Sequence, residues 1–74
     1  MAKTKIDRHL LRRLREERGW SKAEAAEALD ISRQGLDYIE RGMTQPRMST
    51  LLAMARVYGV STDALCGLDS ASAD

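Results

Sequence analysis

Three pairs of residues in this sequence, each an apolar residue followed by serine, constrain the fold more than any other feature. The pairs are Trp20-Ser21, Ile31-Ser32 and Val60-Ser61, and another apolar residue stands four positions after each serine. A serine at this place satisfies unpaired N–H groups of a first helical turn, and the two apolar residues pack on each other. At the first pair, Glu24 completes a capping box with Ser21. The sequence therefore predicts three helix starts from local chemistry.

The spacing of apolar residues predicts five helices and no strand. Apolar residues recur at intervals of three and four, and no stretch alternates for long enough to form a strand. The helices are expected to begin near Asp7, after Ser21, after Ser32, at Pro46 and after Ser61. Glycines at positions 19, 42, 59 and 67 are expected to end four of them. On the fourth helix, six residues are expected to face inward: Met48, Leu51, Leu52, Met54, Ala55 and Tyr58.

Length and composition indicate one small all-α domain. With 74 residues the chain is too short for two cores, so we expect a domain over 6–67 between flexible segments at 1–5 and 68–74. A single cysteine excludes an internal disulfide and suits a reducing cytosol. We expect a cytoplasmic protein, since no run reaches the roughly 18 apolar residues of a membrane span. His9 and Cys66 are isolated, so no metal, cofactor or enzymatic activity is expected.

The formal net charge of +1 conceals an uneven distribution along the chain. Residues 1–22 carry eight basic and three acidic side chains, whereas the only charged residues of 23–31 are acidic. Such a distribution is compatible with a basic face on a nearly neutral protein. It is equally compatible with a solvated amphipathic first helix, and charge alone does not separate the two.

The second and third predicted helices are close enough in sequence to form a helix-turn-helix unit. Ser21 and Ser32 are eleven residues apart, which leaves a turn of about three residues around Asp30. Ala26 is small enough for the third helix to pack closely across the second. The runs Leu-Arg-Glu-Glu-Arg-Gly-Trp-Ser (14–21) and Ile-Ser-Arg-Gln-Gly-Leu-Asp-Tyr-Ile-Glu-Arg-Gly (31–42), with the segment 46–65, resemble the Xre/Cro family of lambda-repressor-like DNA-binding domains. The resemblance covers 10–65, most of the chain.

The resemblance implies that the third helix enters the major groove of DNA and reads bases from its first turns. Arginine can bind guanine, and glutamine can bind adenine, each through two hydrogen bonds. Aspartate can accept from cytosine or repel a wrong sequence, while tyrosine can contact a thymine methyl group or a phosphate. The residues at these positions are Arg33, Gln34, Asp37 and Tyr38. Without the resemblance, they are equally well interpreted as the polar side of a surface helix.

The resemblance also implies phosphate contacts and a structural ion pair. Lys22 matches a position that clamps the DNA backbone at the start of the second helix, where the helix dipole favours an anion. Arg15 and Glu40 match a partly buried ion pair that orients the third helix on the first. Four further residues are expected to bind phosphates near the third helix: Ser32, Arg41, Thr44 and Arg47. Arg47 could alternatively reach the minor groove.

Four positions depart from the common form of the family. Lys22 replaces a frequent glutamine, which exchanges an amide for a point charge. Asp30 stands where glycine is usual, and aspartate tolerates the left-handed conformation at some cost. Gly35 removes a side chain from the DNA-facing side, so that either the backbone approaches the groove or one base is not read. Ala25 is smaller than the usual leucine, and Trp20 is expected to fill the space.

The expected function is that of a sequence-specific transcription regulator, a repressor in preference to an activator, which binds a palindromic operator as a homodimer. The dimer contact is expected among four apolar residues that alternatively complete the core: Tyr58, Val60, Leu65 and Leu68. Two other classes stay open, a DNA-binding antitoxin that also holds a toxin and an interaction adaptor that lacks groove contacts. RNA polymerase and a toxin stay open as further partners.

Overall fold

Five α-helices and their connections make up residues 5–67, the part of the chain that the computed structural model describes. The helices are α1 (Arg8–Glu17), α2 (Lys22–Leu29), α3 (Arg33–Glu40), α4 (Met48–Tyr58) and α5 (Thr62–Leu65). No strand occurs within this range, which confirms the predicted all-α fold class. None of these helices has the length and apolar character needed to cross a membrane. Apart from Lys5, the segments expected to be flexible lie outside the described residues.

Side-chain caps begin four of the five helices in the described range. The Oγ atoms of Ser21, Ser32 and Ser61 each accept a hydrogen bond from the backbone N–H three positions later, at 2.9 to 3.1 Å. Glu24 accepts in return from the N–H of Ser21 at 2.8 Å, so the predicted capping box is present. Asp7 caps α1 by accepting from two first-turn N–H groups. The three serine caps predicted from the sequence are thus confirmed.

The turn between α2 and α3 has the backbone conformation expected of it. Asp30 lies in the left-handed region at φ 60° and ψ 43°. The N–H of Asp30 donates to the Glu27 carbonyl at 3.1 Å, and the N–H of Ile31 donates to the Ala26 carbonyl at 3.0 Å. These bonds satisfy two of the carbonyls in the last turn of α2 and turn the chain sharply into α3. Ala26 is 2% exposed, as close packing of the two helices requires.

The start of α4 differs from the prediction, because the helix begins at Met48 and not at Pro46. Arg47 is the N-cap residue, with extended backbone at ψ 161°, and the first helical hydrogen bond runs from the Leu51 N–H to its carbonyl at 2.8 Å. The fixed φ of proline suits an extended entry segment as well as a first helical turn. Pro46 therefore marks the approach to the helix and not its first residue.

Two of the six residues expected on the inner face of α4 are exposed, and that part of the prediction is wrong. Met48 is 67% exposed and Leu52 is 49% exposed. The face of the helix that meets the core is centred on Met54 and Tyr58, which are buried. Met48 and Leu52 lie beside this face and line an open groove of about 360 Å³ together with residues of the N-terminal segment and α5.

The largest fully buried side chains of the core come from four helices: Leu11, Leu36, Met54 and Leu65. Tyr58, 4% exposed, belongs to the same cluster, so Tyr58 and Leu65 complete the core and offer no apolar surface to a partner. Burial thus contradicts their assignment to a dimer contact. Val60 packs half-buried against the core, and Leu68 lies outside the described residues.

Trp20 packs beside the core cluster, where it was expected to compensate for the small Ala25. Its ring lies 5.9 Å from that of Tyr58, with a tilt of 47° between the planes. The Arg18 guanidinium lies 5.5 Å from the Trp20 ring and 5.4 Å from the Tyr58 ring. A cation over aromatic faces adds a favourable electrostatic contact to the apolar packing. This group joins the end of α1 to the end of α4.

We expect Leu36→Ala to destabilise the protein by about 2–5 kcal/mol, because it removes a fully buried side chain and leaves a cavity. Leu52→Ala deletes the same atoms from a half-exposed position and should cost about 1 kcal/mol or less. Urea denaturation followed by circular dichroism measures both. Equal losses of stability in the two variants would contradict the burial described here.

Candidate nucleic-acid interface

A buried ion pair joins α1 to α3. The Arg15 Nε donates to Glu40 Oε2 at 2.8 Å, and Nη2 donates to Oε1 at 3.1 Å. The two side chains are only 10% and 3% exposed. A third guanidinium nitrogen, Nη1, donates to the Trp20 carbonyl at 2.9 Å. The pair implied by the family resemblance is therefore present, and the hydrogen bond that Arg15 donates to the Glu40 carboxylate is the main cause that raises the pKa of Arg15.

A second contact from α1 also holds the C-terminal end of α3. Arg8 Nη1 donates to the carbonyl of Arg41, the residue that ends the helix, at 3.4 Å. A cation at this position is favoured, because the carbonyls at a helix C-terminus carry partial negative charge. Gly42 follows at φ 78°, and a Cβ atom there would lie 2.9 Å from the Arg8 side chain. Glycine at this position thus permits both the turn and the close approach of Arg8.

Three of the four expected base-reading residues lie exposed on α3. Arg33 and Gln34 form its first turn, directly after the Ser32 cap. The Gln34 Nε2 donates to the Tyr38 hydroxyl at 2.8 Å, and Tyr38 is 37% exposed. Within residues 5–67, no carboxylate lies close enough to Arg33 to form an ion pair. Among the described residues, the Arg33 guanidinium thus has no ion-pair partner, and the Gln34 amide is held by the Tyr38 hydroxyl.

Asp37, the fourth expected base reader, is engaged by two cations of the protein. Its Oδ1 lies 2.5 Å from the Lys22 Nζ, across the α2–α3 contact, and its Oδ2 lies 3.5 Å from the Arg41 Nε. The Asp37 side chain is 24% exposed. The hydrogen bond from Lys22 is the main cause that lowers the pKa of Asp37 below its usual value, and the charge of Arg41 contributes. Both cations are residues that the resemblance places on phosphates.

The remaining expected phosphate ligands line a polar groove between the starts of α3 and α4. The groove measures about 490 Å³, and Ser32, Thr44 and Arg47 are among its lining residues. Thr44 and Arg47 are exposed. The Ser32 Oγ accepts from the Gly35 N–H at 2.9 Å, which leaves its own O–H as a donor. An anion in this groove would meet hydroxyl groups and a guanidinium.

Gly35 lies three positions after the Ser32 cap, and a Cβ atom at this position would make a tight contact of 3.0 Å with the Ser32 Oγ. Glu24 and Ala64 occupy the same position after the Ser21 and Ser61 caps, so this kind of cap accepts a side chain there. The missing side chain of Gly35 therefore mainly opens the surface of α3 beside the cap.

A family model described as helix-turn-helix matches residues 11–65, which is most of the chain. The chain belongs to this helix-turn-helix family, of the Xre and lambda-repressor-like type. It is 40% identical over 62 residues to the HTH-type transcriptional regulator ImmR of Bacillus subtilis, covering 84% of this chain and 49% of that protein. It is 42% identical over 60 residues to the HTH-type transcriptional regulator DdrOP3 of Deinococcus deserti, covering 80% and 46%. This helix-turn-helix chain thus spans about half the length of the two relatives.

The fold of this helix-turn-helix protein also matches a solved repressor structure. The crystal structure of the P22 c2 repressor in complex with the synthetic operator 9T superposes with a TM-score of 0.80 at 23% sequence identity. The match covers 88% of this chain and 98% of that chain. At this level of identity the likeness establishes a shared fold.

We expect Glu40→Gln to destabilise the protein by about 3–5 kcal/mol, because it leaves the Arg15 charge buried without its partner. Glu16→Gln is the matched control, since Glu16 pairs with Arg12 at the surface, where the side chains are 64% and 55% exposed. That change should cost about 0.5 kcal/mol or less. Chemical denaturation compares the two variants, and a small loss in Glu40→Gln would contradict the buried pairing.

In Lys22→Met we expect the pKa of Asp37 to rise toward its ordinary value, because the hydrogen bond that lowers it is removed. A carboxyl whose folded pKa is lowered stabilises the protein above its unfolded pKa of about 4, and this contribution disappears as the pH falls through the folded pKa. NMR titration of the Asp37 carboxyl measures the shift. Lys5→Met, at an exposed position, should leave the titration unchanged, and an unchanged curve in Lys22→Met would contradict the contact.

Proposed function

We propose that this protein is a sequence-specific transcription regulator, a repressor, that binds double-stranded DNA as a homodimer with α3 in the major groove. One observation carries the proposal more than any other. Arg33 and Gln34 stand exposed at the start of a short helix that two separate contacts hold against α1. An exposed first turn with these side chains, capped by Ser32 and on a helix fixed at its C-terminal end, is suited to bind base edges.

The two side chains offer hydrogen-bonding groups that match purine bases. The Arg33 guanidinium can donate twice to guanine O6 and N7. Gln34 uses one N–H on the Tyr38 hydroxyl, which leaves its oxygen and its other N–H for the N6 and N7 of adenine. The Tyr38 contact also restrains the Gln34 side chain, so that less conformational entropy is lost on binding.

Residues around α3 supply the contacts that position a protein on the DNA backbone without reading sequence. Lys22 lies in the first turn of α2, where backbone N–H groups and the helix dipole favour a phosphate. Arg41, Thr44 and Arg47 are exposed beyond the end of α3 and at the start of α4. Phosphates on both sides of the major groove would therefore find donors on both sides of α3.

The comparisons support regulation of transcription and DNA as the partner. The two relatives are named as HTH-type transcriptional regulators, and the structural match is a repressor solved with an operator. Two subunits on a palindrome double the number of base contacts, with half-sites roughly 34 Å apart. A dimer seated on an operator represses by occupying DNA that RNA polymerase needs. Such a protein acts in the cytoplasm.

Selection from a randomised duplex pool tests the proposal. The purified protein is expected to enrich a palindromic site, and its affinity for that site is expected to fall steeply with salt. With about four phosphate contacts in each subunit, the slope of log K against log salt should be near −7. No enriched sequence together with an affinity insensitive to salt would contradict the proposed function.

We expect Arg33→Ala to weaken binding to the selected site by about 1–3 kcal/mol and to relax the preference at one base pair, because a bidentate base contact is lost. Arg56→Ala removes the same charge from an exposed position in the last turn of α4 and should leave base preference unchanged. Fluorescence anisotropy with the selected duplex and single-base variants measures both. Equal and uniform losses in the two variants would show that Arg33 reads no base.

A further inference from the structure

The carboxylate of Asp37 occupies the centre of a group of cations at the α2–α3 contact. Lys22 approaches one carboxylate oxygen from the first turn of α2, and Arg41 approaches the other from the end of α3. Arg33 adds a third positive charge that acts on the same carboxylate without touching it. The first two cations are the phosphate ligands of the proposed function, and the third is its principal base reader.

This position makes Asp37 poorly suited to read a base. Both of its oxygens already face a cation, and its side chain is 24% exposed. To accept a hydrogen bond from cytosine, the carboxylate would have to give up or share the Lys22 contact. Arg33 and Gln34 have no such competing ionic partner among the residues that the structure describes.

In the same position, Asp37 affects how strongly Lys22 and Arg41 can bind phosphates. A carboxylate between two cations cancels one of their two charges and restrains both side chains. Sequence-independent binding to DNA depends on the cations that replace counterions along the phosphates. Asp37 therefore acts on that part of the binding energy and makes no ion pair or hydrogen bond with Arg33 or Gln34.

We propose that Asp37 is a positioning residue that holds Lys22 and Arg41 and limits their binding to phosphates, and that it does not read a base. The proposal rests on the proposed function, since it concerns the DNA interface of α3. In this role Asp37, a residue of α3, keeps the sequence-independent affinity for DNA low. The near-neutral net charge of +1 is consistent with an interface whose attraction for DNA is limited in this way.

The test compares Asp37→Asn with wild type on a duplex of mixed sequence and in selection from a randomised pool. Asparagine keeps the size of the side chain and removes its charge, so Lys22 and Arg41 become available to phosphates. We expect the variant to bind the mixed duplex several-fold more tightly at low salt. Its slope of log K against log salt should be steeper by about 0.9 for each subunit. The selected site should match that of wild type at every base pair.

Two matched variants show whether the effect acts through Lys22 and not through total charge. Asp63→Asn makes the same change of charge at an exposed position on α5 and should bind the mixed duplex as wild type does. In a Lys22→Met background, the gain from Asp37→Asn should shrink, because the cation that it releases is absent. Asp37→Ser, which also lacks the charge, repeats the measurement if the asparagine variant loses helical circular dichroism.

Three outcomes would overturn the inference: an unchanged affinity of Asp37→Asn for the mixed duplex, a weaker one, or a changed preference at one base pair of the selected site. The last result would make Asp37 a base reader. Failure of the proposed function is a separate outcome, since it is judged on wild type alone. Wild type that enriches no site contradicts the function, whereas the comparison on the mixed duplex still reports what Asp37 does to Lys22 and Arg41.

Discussion

The buried ion pair between Arg15 and Glu40 is the interaction on which the position of α3 depends. A buried pair adds little net stability, because removal of two charges from water offsets most of their attraction. Its effect is to exclude other positions of α3 on α1. If α3 were shifted or rotated on α1, each charge would stay buried without a partner, at a cost of several kcal/mol. Arg15 also donates a hydrogen bond to the Trp20 carbonyl, so the same side chain fixes the backbone just before α2.

Carboxylates also hold most of the cations around the proposed interface. Arg15 is committed to Glu40, and Lys22 and Arg41 are committed to Asp37. Arg33 alone among these four cations has no ion-pair partner in the described part of the chain, and it stands on the first turn of α3. A protein of nearly neutral net charge can thus present a cation to a base edge while its other cations are held in place by carboxylates.

Features set by neighbouring residues could be predicted from the sequence. The three serine caps, the left-handed Asp30 and the helix-turn-helix spacing all follow from local hydrogen bonds and backbone preferences, which tertiary packing reinforces. The entry to α4 was misjudged because proline suits two backbone contexts equally well. Apolar spacing also placed Met48 and Leu52 inward, although only the packing of α4 decides how wide its buried face is.

Contacts between distant residues account for the rest of what the sequence did not reveal. Lys22 and Asp37 are fifteen positions apart, and no spacing rule connects them, whereas the contact of Asp37 with Arg41 has the four-residue spacing of a helical pair. Whether Leu65 completes the core or is available to a partner likewise depends on how α4 and α5 pack together. For the candidate site, the exposed residues could be predicted from the resemblance, but their mutual ionic contacts could not.

The central claim is that the first turns of α2 and α3 form the DNA-binding surface. Amide chemical shifts of the isotope-labelled protein, followed during titration with the selected duplex, test it most directly. We expect the largest changes around Lys22 and from Arg33 to Tyr38, with small changes in α5. Changes concentrated on α5 and the groove lined by Met48 and Leu52, with α3 unaffected, would contradict it.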